Sequence, residues 1–216
     1  MPIRFLLVAA LFFAAPAQAF ETPGLDHAVS TYRMEAVTDL ETKLAGRLSA
    51  YQRAEILASK ALILSSQKDN DEAKRQALAA VDSLNAAIAA GEDLIASHFL
   101  LYKLYGQLTA LDWKFALKTR DPLRYLQTQA PSDRRTRIAE AMNWLFTPKL
   151  FGGNPQKGVE RLEALLDEAY DAETANLLAL AYQQTGKHDK AQELAQRILE
   201  HNPQDRSAQG LLERLR

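Results

Sequence analysis

Apolar side chains recur every three or four residues along most of the chain after residue 24, and no long stretch shows the β-branched alternation of a strand. A spacing of three to four residues places apolar side chains on one face of an α-helix. The pattern therefore predicts an all-α protein. The predicted helices are 27–48, 51–67, 70–90, 92–112, 114–128, 133–147, 155–169, 172–185, 188–201 and 205–215.

Short polar segments that contain glycine or proline separate these helices. Ser132 or Asp133 is suited to cap a helix start, and Pro155 fits a first turn, where its missing N–H costs nothing. Gly186 can adopt the left-handed conformation that ends a helix. Breaks this short make neighbouring helices pack as antiparallel hairpins.

The first residues follow a different pattern. Residues 5–15 are an apolar run, and Ala17-Gln18-Ala19 follows it after one residue. This order is typical of a secretory signal peptide with cleavage after Ala19. A membrane anchor is the competing interpretation, but a spanning helix needs about 20 apolar residues. We therefore predict a signal peptide at 1–19 and a periplasmic protein.

Composition narrows the classes of protein that this chain can be. It has 216 residues, of which 47% are hydrophobic and 25% charged, with no cysteine and a formal net charge of -1. These values exclude a disulfide-stapled or strongly disordered chain. The near-zero charge lacks the basic excess of a general nucleic-acid binder, so no nucleic-acid partner is expected.

The second half of the chain repeats itself. Residues 139–171 and 172–204 share eight identities at a constant offset of 33 residues. A period in the low thirties with two helices per unit indicates stacked helical hairpins. The identical pairs are Ala139/Ala172, Glu140/Glu173, Asn143/Asn176, Leu145/Leu178, Gly153/Gly186, Lys157/Lys190, Glu160/Glu193 and Leu166/Leu199.

The second unit resembles the tetratricopeptide repeat family, with a turn glycine at Gly186 and packing residues in the family's pattern. The resemblance implies a superhelix of hairpins, an α-solenoid, as a single domain over 20–216. Its best repeats are 139–171 and 172–205, followed by a C-terminal capping helix. The matching packing residues are Leu178, Ala179, Tyr182, Ala191, Ala195, Ile198 and Pro203.

The preceding unit departs from the family pattern at two positions and in its enlarged turn. Phe146 stands where the family has a small residue, and Lys149 stands where it has a tyrosine. Upstream the resemblance is weak. The sequence leaves open whether residues 92–137 join the superhelix or form a separate lobe, and it leaves the oligomeric state open.

In the family, the first helix of each hairpin lines a concave groove. The resemblance therefore implies a non-enzymatic scaffold that binds a protein or peptide in that groove. Asparagine amides in a row could hydrogen-bond an extended peptide, although they fit a plain polar helix surface equally well. The implied groove residues are Glu140, Asn143, Thr147, Glu173, Asn176, Leu180, Gln183 and Gln184.

Catalytic and metal-binding patterns are missing from the sequence. There is no H-E-x-x-H, G-x-S-x-G or phosphate-loop motif, and no histidine pair at i, i+4 spacing. We therefore expect no catalytic residue, metal or cofactor. The alternative function is a small-ligand-binding or solute-transport accessory protein, which an enclosed pocket between hairpins would favour.

Residues 114–137 carry seven basic side chains against two acidic ones. Such a patch would attract an acidic partner or make peripheral contact with an anionic membrane surface, unless it is only a solvated helix pair. Trp113 next to it fits either a packing or a binding role. Helical spacing predicts that Phe115, Leu117, Leu123, Tyr125 and Leu126 belong to the core. The basic residues are Lys114, Lys118, Arg120, Arg124, Arg134, Arg135 and Arg137.

Overall fold

A computed structural model describes Thr22 and residues 25–215, except for the side chain of Asp26. Every regular element of these residues is helical, which confirms the all-α prediction. The predicted signal peptide at 1–19 lies outside the described residues. The α-helices are α1 (Leu25–Ser30), α2 (Met34–Lys43), α3 (Ala50–Ser66), α4 (Asn70–Ala90), α5 (Leu94–Leu111), α6 (Arg120–Gln129), α7 (Arg134–Phe146), α8 (Pro155–Glu168), α9 (Ala172–Gln184), α10 (His188–His201) and α11 (Arg206–Leu215).

Two short 3-10 helices, Trp113–Thr119 and Lys149–Phe151, complete the described elements. The described chain divides into two compact units, residues 22–136 and residues 137–215. The region 92–136 thus clusters with the N-terminal unit. None of the helices in the described ranges combines the length and apolar character needed to cross a bilayer.

In the N-terminal unit, each helix packs on the next one in the chain, and α3 also contacts α5. Helix α5 is the centre of this unit, because it contacts α3, α4 and α6 as well as the 3-10 helix Trp113–Thr119. Its Leu104 and Leu108 are fully buried, as is Leu84 of α4. An apolar sequence on nearly all sides of α5 is what such a central position requires.

In the C-terminal unit, α8 packs on α9, α9 on α10 and α10 on α11, and α9 also contacts α11. The small residues Ala179 and Ala191 are fully buried in the α9–α10 hairpin, with Leu178 and Ile198 buried beside them. Small side chains let two helices approach closely, and the larger ones fill the remaining gaps. Consecutive hairpins therefore pack directly against each other, as the repeat predicts.

The helix ends of this unit use the expected local chemistry. Gly186 has a φ of +77°, and the N–H of Lys187 bonds back to the carbonyl of Tyr182 at 2.8 Å. Asn154 caps α8 through the N–H of Lys157 at 3.1 Å. Pro155 occupies the first turn of that helix. The breaks that the sequence predicted at these points are confirmed.

Two of the predicted helices are wrong in detail. The segment predicted as 27–48 is two helices, because Tyr32 adopts a left-handed φ of +52° and interrupts the backbone ladder between α1 and α2. The segment predicted as 114–128 begins as the 3-10 helix Trp113–Thr119 and becomes α-helical only at Arg120. No glycine or proline stands at either break, so neither break has its usual signal in the sequence.

Two helical glycines of the C-terminal unit should respond in opposite ways to a methyl group. A Cβ on Gly158 would lie 2.6 Å from Cγ of Leu145 and 3.0 Å from the carbonyl oxygen of Ala141, so it would push α8 away from α7. We expect Gly158→Ala to destabilise the protein by about 1 kcal/mol, since overpacking exceeds the gain in helix propensity. Urea denaturation of the full chain measures this change.

Gly210→Ala is the matched control. Its new Cβ would meet only the flexible Nη1 of Arg214, at 3.4 Å. This substitution should stabilise α11 by about 0.5–1 kcal/mol, because alanine loses less backbone entropy than glycine in a helix. Equal effects of the two substitutions would contradict close packing at Gly158.

Candidate functional site

Asn176, one of the predicted groove residues, lies on the side of α9 that faces α11. Its Nδ2 donates to Oδ2 of Asp205 at 3.2 Å and to the carbonyl oxygen of Ala172 at 3.1 Å, and the residue is only 5% exposed. Asp205 precedes α11 and accepts the N–H of Ala208 at 3.0 Å through its other oxygen. Asn176 therefore joins the first helix of the last hairpin to the capping helix that follows it.

The carboxyl group of Asp205 is itself buried. Burial raises the pKa of Asp205, and the hydrogen bonds from Ala208, Asn176 and Ser207 only partly oppose this effect. The sequence analysis missed Asp205 as a key polar residue. Its signal was an acidic residue between the Asn202-Pro203 break and a predicted helix, which is the position of an N-cap.

The other groove residues predicted on α9 differ in exposure. Glu173 and Leu180 are buried. Gln183 is partly exposed and Gln184 is exposed, both in the last turn of the helix. The end of α9 that a partner can reach is therefore its C-terminal turn.

On α7, the predicted groove residues are partly exposed and take part in polar contacts. Glu140 pairs with Arg161 of α8 at 3.4 Å. Oδ1 of Asn143 accepts the hydroxyl of Thr147 at 3.1 Å, within the same turn of chain. Asn143 and Asn176, which the repeat superposes, thus have different hydrogen-bond partners.

Tyr182 joins α9 to α8 through a side-chain hydrogen bond. Its hydroxyl donates to Oε1 of Glu163 at 2.7 Å, and Lys190 pairs with the same carboxylate at 3.5 Å. Burial and the adjacent carboxylate raise the pKa of Tyr182, so the phenol stays protonated. This contact links consecutive hairpins.

Residues 152–215 match the family model described as Tetratricopeptide repeat. This segment is a tetratricopeptide repeat region. It contains α8–α11, and so it includes the whole of the hairpin 172–204 and the second helix of the preceding one. Comparison with curated proteins and with solved structures gave no match.

Tetratricopeptide repeats suggest a scaffold for protein–protein interaction, and their domains typically bind protein partners. The family is generally non-catalytic. Within the described ranges, no three His, Asp or Glu side chains are placed to hold a metal ion together.

Six of the seven basic residues predicted at 114–137 fall into two groups, and the seventh, Arg134, is partly exposed. Arg135 pairs with Asp133 at 3.1 Å and lies 3.6 Å from Asp93, and Arg137 donates to Glu168 at 2.6 Å. Both arginines are thus paired with carboxylates of the fold. Arg137 belongs to the C-terminal unit, which begins at that residue. The exposed members are Lys114, Lys118, Arg120 and Arg124.

The apolar residues that accompany the basic ones are only partly as predicted. Phe115, Leu123 and Leu126 are buried and Tyr125 is partly buried, but Leu117 is 65% exposed, so its assignment to the core is wrong. Trp113 is 83% exposed. The reason is the 3-10 geometry of 113–119, since three residues per turn shift each side chain away from its α-helical position.

A second exposed apolar pair escaped the sequence analysis. Leu150 and Phe151 are 88% and 73% exposed on the turn that joins α7 to α8. The N–H of Phe151 bonds to the carbonyl of Pro148 at 2.8 Å, so the turn is folded on itself. The signal was the apolar pair inside a segment rich in glycine and proline, which cannot supply a packed neighbour for it.

Proposed function

We propose that residues 137–215 act as a non-catalytic scaffold that holds a protein or peptide partner along the first helices of the hairpins. The observation that supports this most is the direct contact between α9, the first helix of the last hairpin, and the capping helix α11, which Asn176 and Asp205 join. In a helical repeat array, helices aligned in this way form the concave binding surface. The repeat match over 152–215 supports the same function.

The partner contacts in this proposal belong to the accessible polar residues. Gln183 and Gln184 end α9, and Asn143 is partly exposed on α7. Side-chain amides both donate and accept hydrogen bonds, which suits recognition of a peptide backbone with little dependence on its side chains. Asn176 in turn positions this binding surface, because its amide is used within the fold.

We further propose that the chain is exported to the periplasm before it binds. The apolar run at 5–15 and the small residues before the cleavage point support this location. The alternative role, as a small-ligand or transport accessory protein, stays a prediction. It requires a metabolite that raises the melting temperature of the purified protein.

Site-specific photocrosslinking in intact cells tests the proposed surface. A benzophenone amino acid placed at Gln183 or Gln184 should give a discrete protein adduct at least about tenfold stronger than background, because specific contacts hold a partner in one register. Gln192 and Gln196 of α10 are exposed glutamines on the second helix of the same hairpin and serve as controls. Adducts at the control positions alone would contradict the proposed partner-binding surface.

The same cells test the location. Osmotic shock should release the protein, and its intact mass should correspond to a chain that begins at Phe20. Retention of residues 1–19 in the released protein would contradict cleavage after Ala19. A protein that stays with the cytosolic fraction would contradict export.

A further inference from the structure

The 3-10 helix Trp113–Thr119 presents two large apolar side chains to solvent. Trp113 is 83% exposed and Leu117 is 65% exposed. Single exposed apolar residues are ordinary, but this seven-residue element exposes two large ones, which is uncommon away from binding surfaces. Four exposed cations lie in the same stretch of chain, Lys114, Lys118, Arg120 and Arg124. We call residues 113–124 the Trp113 segment.

The exposure of this pair is set by the anchoring of Phe115. Phe115 is buried, and its ring stacks on Tyr105 of α5 with centroids 6.5 Å apart. In an ideal 3-10 helix, residues two positions apart point about 120° from each other. With Phe115 held inward, Trp113 and Leu117 on either side of it must point outward.

Asp112 fixes the start of the Trp113 segment. Its carboxylate accepts the N–H of Lys114 at 3.3 Å and pairs with Lys74 of α4 at 3.1 Å and with Nζ of Lys114 at 3.0 Å. The hydrogen bonds from Lys114 and Lys74 lower the pKa of Asp112 to about 2. The carboxylate is therefore charged at physiological pH, and it pairs with both lysines.

The surrounding charge is positive. Lys118 places its Nζ over the Phe115 ring, 5.5 Å from the centroid, and over the Tyr105 ring, 5.7 Å from the centroid, so its charge lies against the aromatic pair. Arg124 pairs with the exposed Asp121 at 2.7 Å, and Arg120 precedes that pair. Across residues 112–124, four cations stand against two carboxylates, Asp112 and Asp121, so the local net charge is +2.

We propose that the Trp113 segment docks on an anionic phospholipid bilayer, with Trp113 and Leu117 in the boundary between headgroups and acyl chains. Tryptophan prefers this boundary, and basic residues close to it are attracted to lipid phosphates. An acidic protein would satisfy the cations, but it would not by itself explain two apolar side chains held outward. This inference is independent of the partner surface proposed for residues 137–215.

Vesicle co-sedimentation of the predicted mature chain, residues 20–216, tests the proposal. The protein should bind vesicles of equimolar phosphatidylcholine and phosphatidylglycerol, bind phosphatidylcholine alone at least about tenfold more weakly, and lose affinity as salt is added. The double variant Trp113→Ala/Leu117→Ala should bind mixed vesicles at least about tenfold more weakly, because the inserted apolar surface is gone. Arg120→Ser/Arg124→Ser should weaken binding several-fold and reduce its dependence on salt.

The chain offers a matched control in Leu150→Ala/Phe151→Ala, which removes an exposed apolar pair elsewhere and should leave vesicle binding unchanged. All of these side chains are exposed, so the melting temperature of each variant should match that of the parent within about 2 °C. A Trp144→Phe variant leaves Trp113 as the only tryptophan. Its emission should shift to shorter wavelength on adding mixed vesicles.

Three results would overturn the proposal. The first is no binding to mixed vesicles, and the second is binding that the Trp113→Ala/Leu117→Ala variant retains. The third is retention on an immobilised polyglutamate column, abolished by Arg120→Ser/Arg124→Ser, without vesicle binding. That last result would assign the segment to an acidic protein.

Discussion

Gly153→Ala should lower the free energy of unfolding by about 3 kcal/mol, although the φ of Gly153 is not left-handed. A Cβ at this position would lie 1.7 Å from the carbonyl oxygen of Thr147 and 2.6 Å from its carbonyl carbon. Both are backbone atoms, so no side chain can rotate away to make room. The turn between α7 and α8 must open instead.

Opening that turn removes contacts that hold it closed. The N–H of Gly153 bonds to the carbonyl of Pro148 at 3.2 Å, and the N–H of Asn154 bonds to the carbonyl of Trp144 at 2.9 Å. The second of these satisfies the C-terminal end of α7. Urea denaturation gives the stability change, and faster proteolysis at the turn would show that the loss is local.

Gly152→Ala is the control for this prediction. Gly152 has a φ of +93°, but a Cβ added there would have no other atom within 4 Å to meet. The left-handed strain of alanine should cost only about 1 kcal/mol there. An equal or larger effect at Gly152 than at Gly153 would contradict the close approach to Thr147.

Asp205→Ala should destabilise the protein by about 2 kcal/mol at neutral pH. The substitution removes the N-cap of α11, worth about 1 kcal/mol, and leaves one N–H of the buried Asn176 amide without its acceptor. Relief from burying a charged carboxylate offsets part of this loss. Chemical denaturation of the full chain measures the difference.

The pH dependence of this difference has a definite sign. Because burial raises the pKa of Asp205 above its ordinary value of 3.8, the folded protein binds the proton more tightly than the unfolded chain. Protonation of Asp205 stabilises the fold fully below pH 3.8, the ordinary pKa of the group. This stabilisation is lost as the pH rises through the higher pKa that Asp205 has in the folded protein. The difference in unfolding free energy between the parent and Asp205→Ala should therefore increase as the pH is lowered.

Asp205→Asn provides the intermediate case. Asparagine has one acceptor oxygen, so it can cap α11 or accept from Asn176, but it cannot do both as Asp205 does. We expect about half of the loss seen with alanine, and no titration at this site. A stability equal to that of the parent at all pH values would show that the Asn176 contact contributes nothing.

Helix positions were the most predictable part of this protein. The predicted spans 70–90 and 188–201 coincide with α4 and α10, because an apolar period of three to four residues ends at clear stop signals on both sides. The left-handed Tyr32 was not predictable, since its conformation has no compositional signal. The 3-10 helix before α6 was missed because its residues also fit an α-helical period.

The candidate surfaces were less predictable than the helices. The family pattern located the first helices, but it could not show that Asn176 would bond Asp205, which lies 29 residues further along the chain. Nor could it separate the exposed Arg120 from Arg135, whose charge is paired with Asp133. Which side chains remain accessible depends on neighbours that meet only after folding.

Local spacing and turn chemistry were enough to establish that this protein is built from helices and that its last 80 or so residues are stacked hairpins. The packing of distant segments was needed to show that Trp113 and Leu117 face outward while Phe115 faces inward, and that the amide of Asn176 is used inside the fold. This division follows from the range of the interactions. Helix formation depends on residues within one or two turns, whereas the exposure of a side chain is fixed by whichever remote segments pack on it.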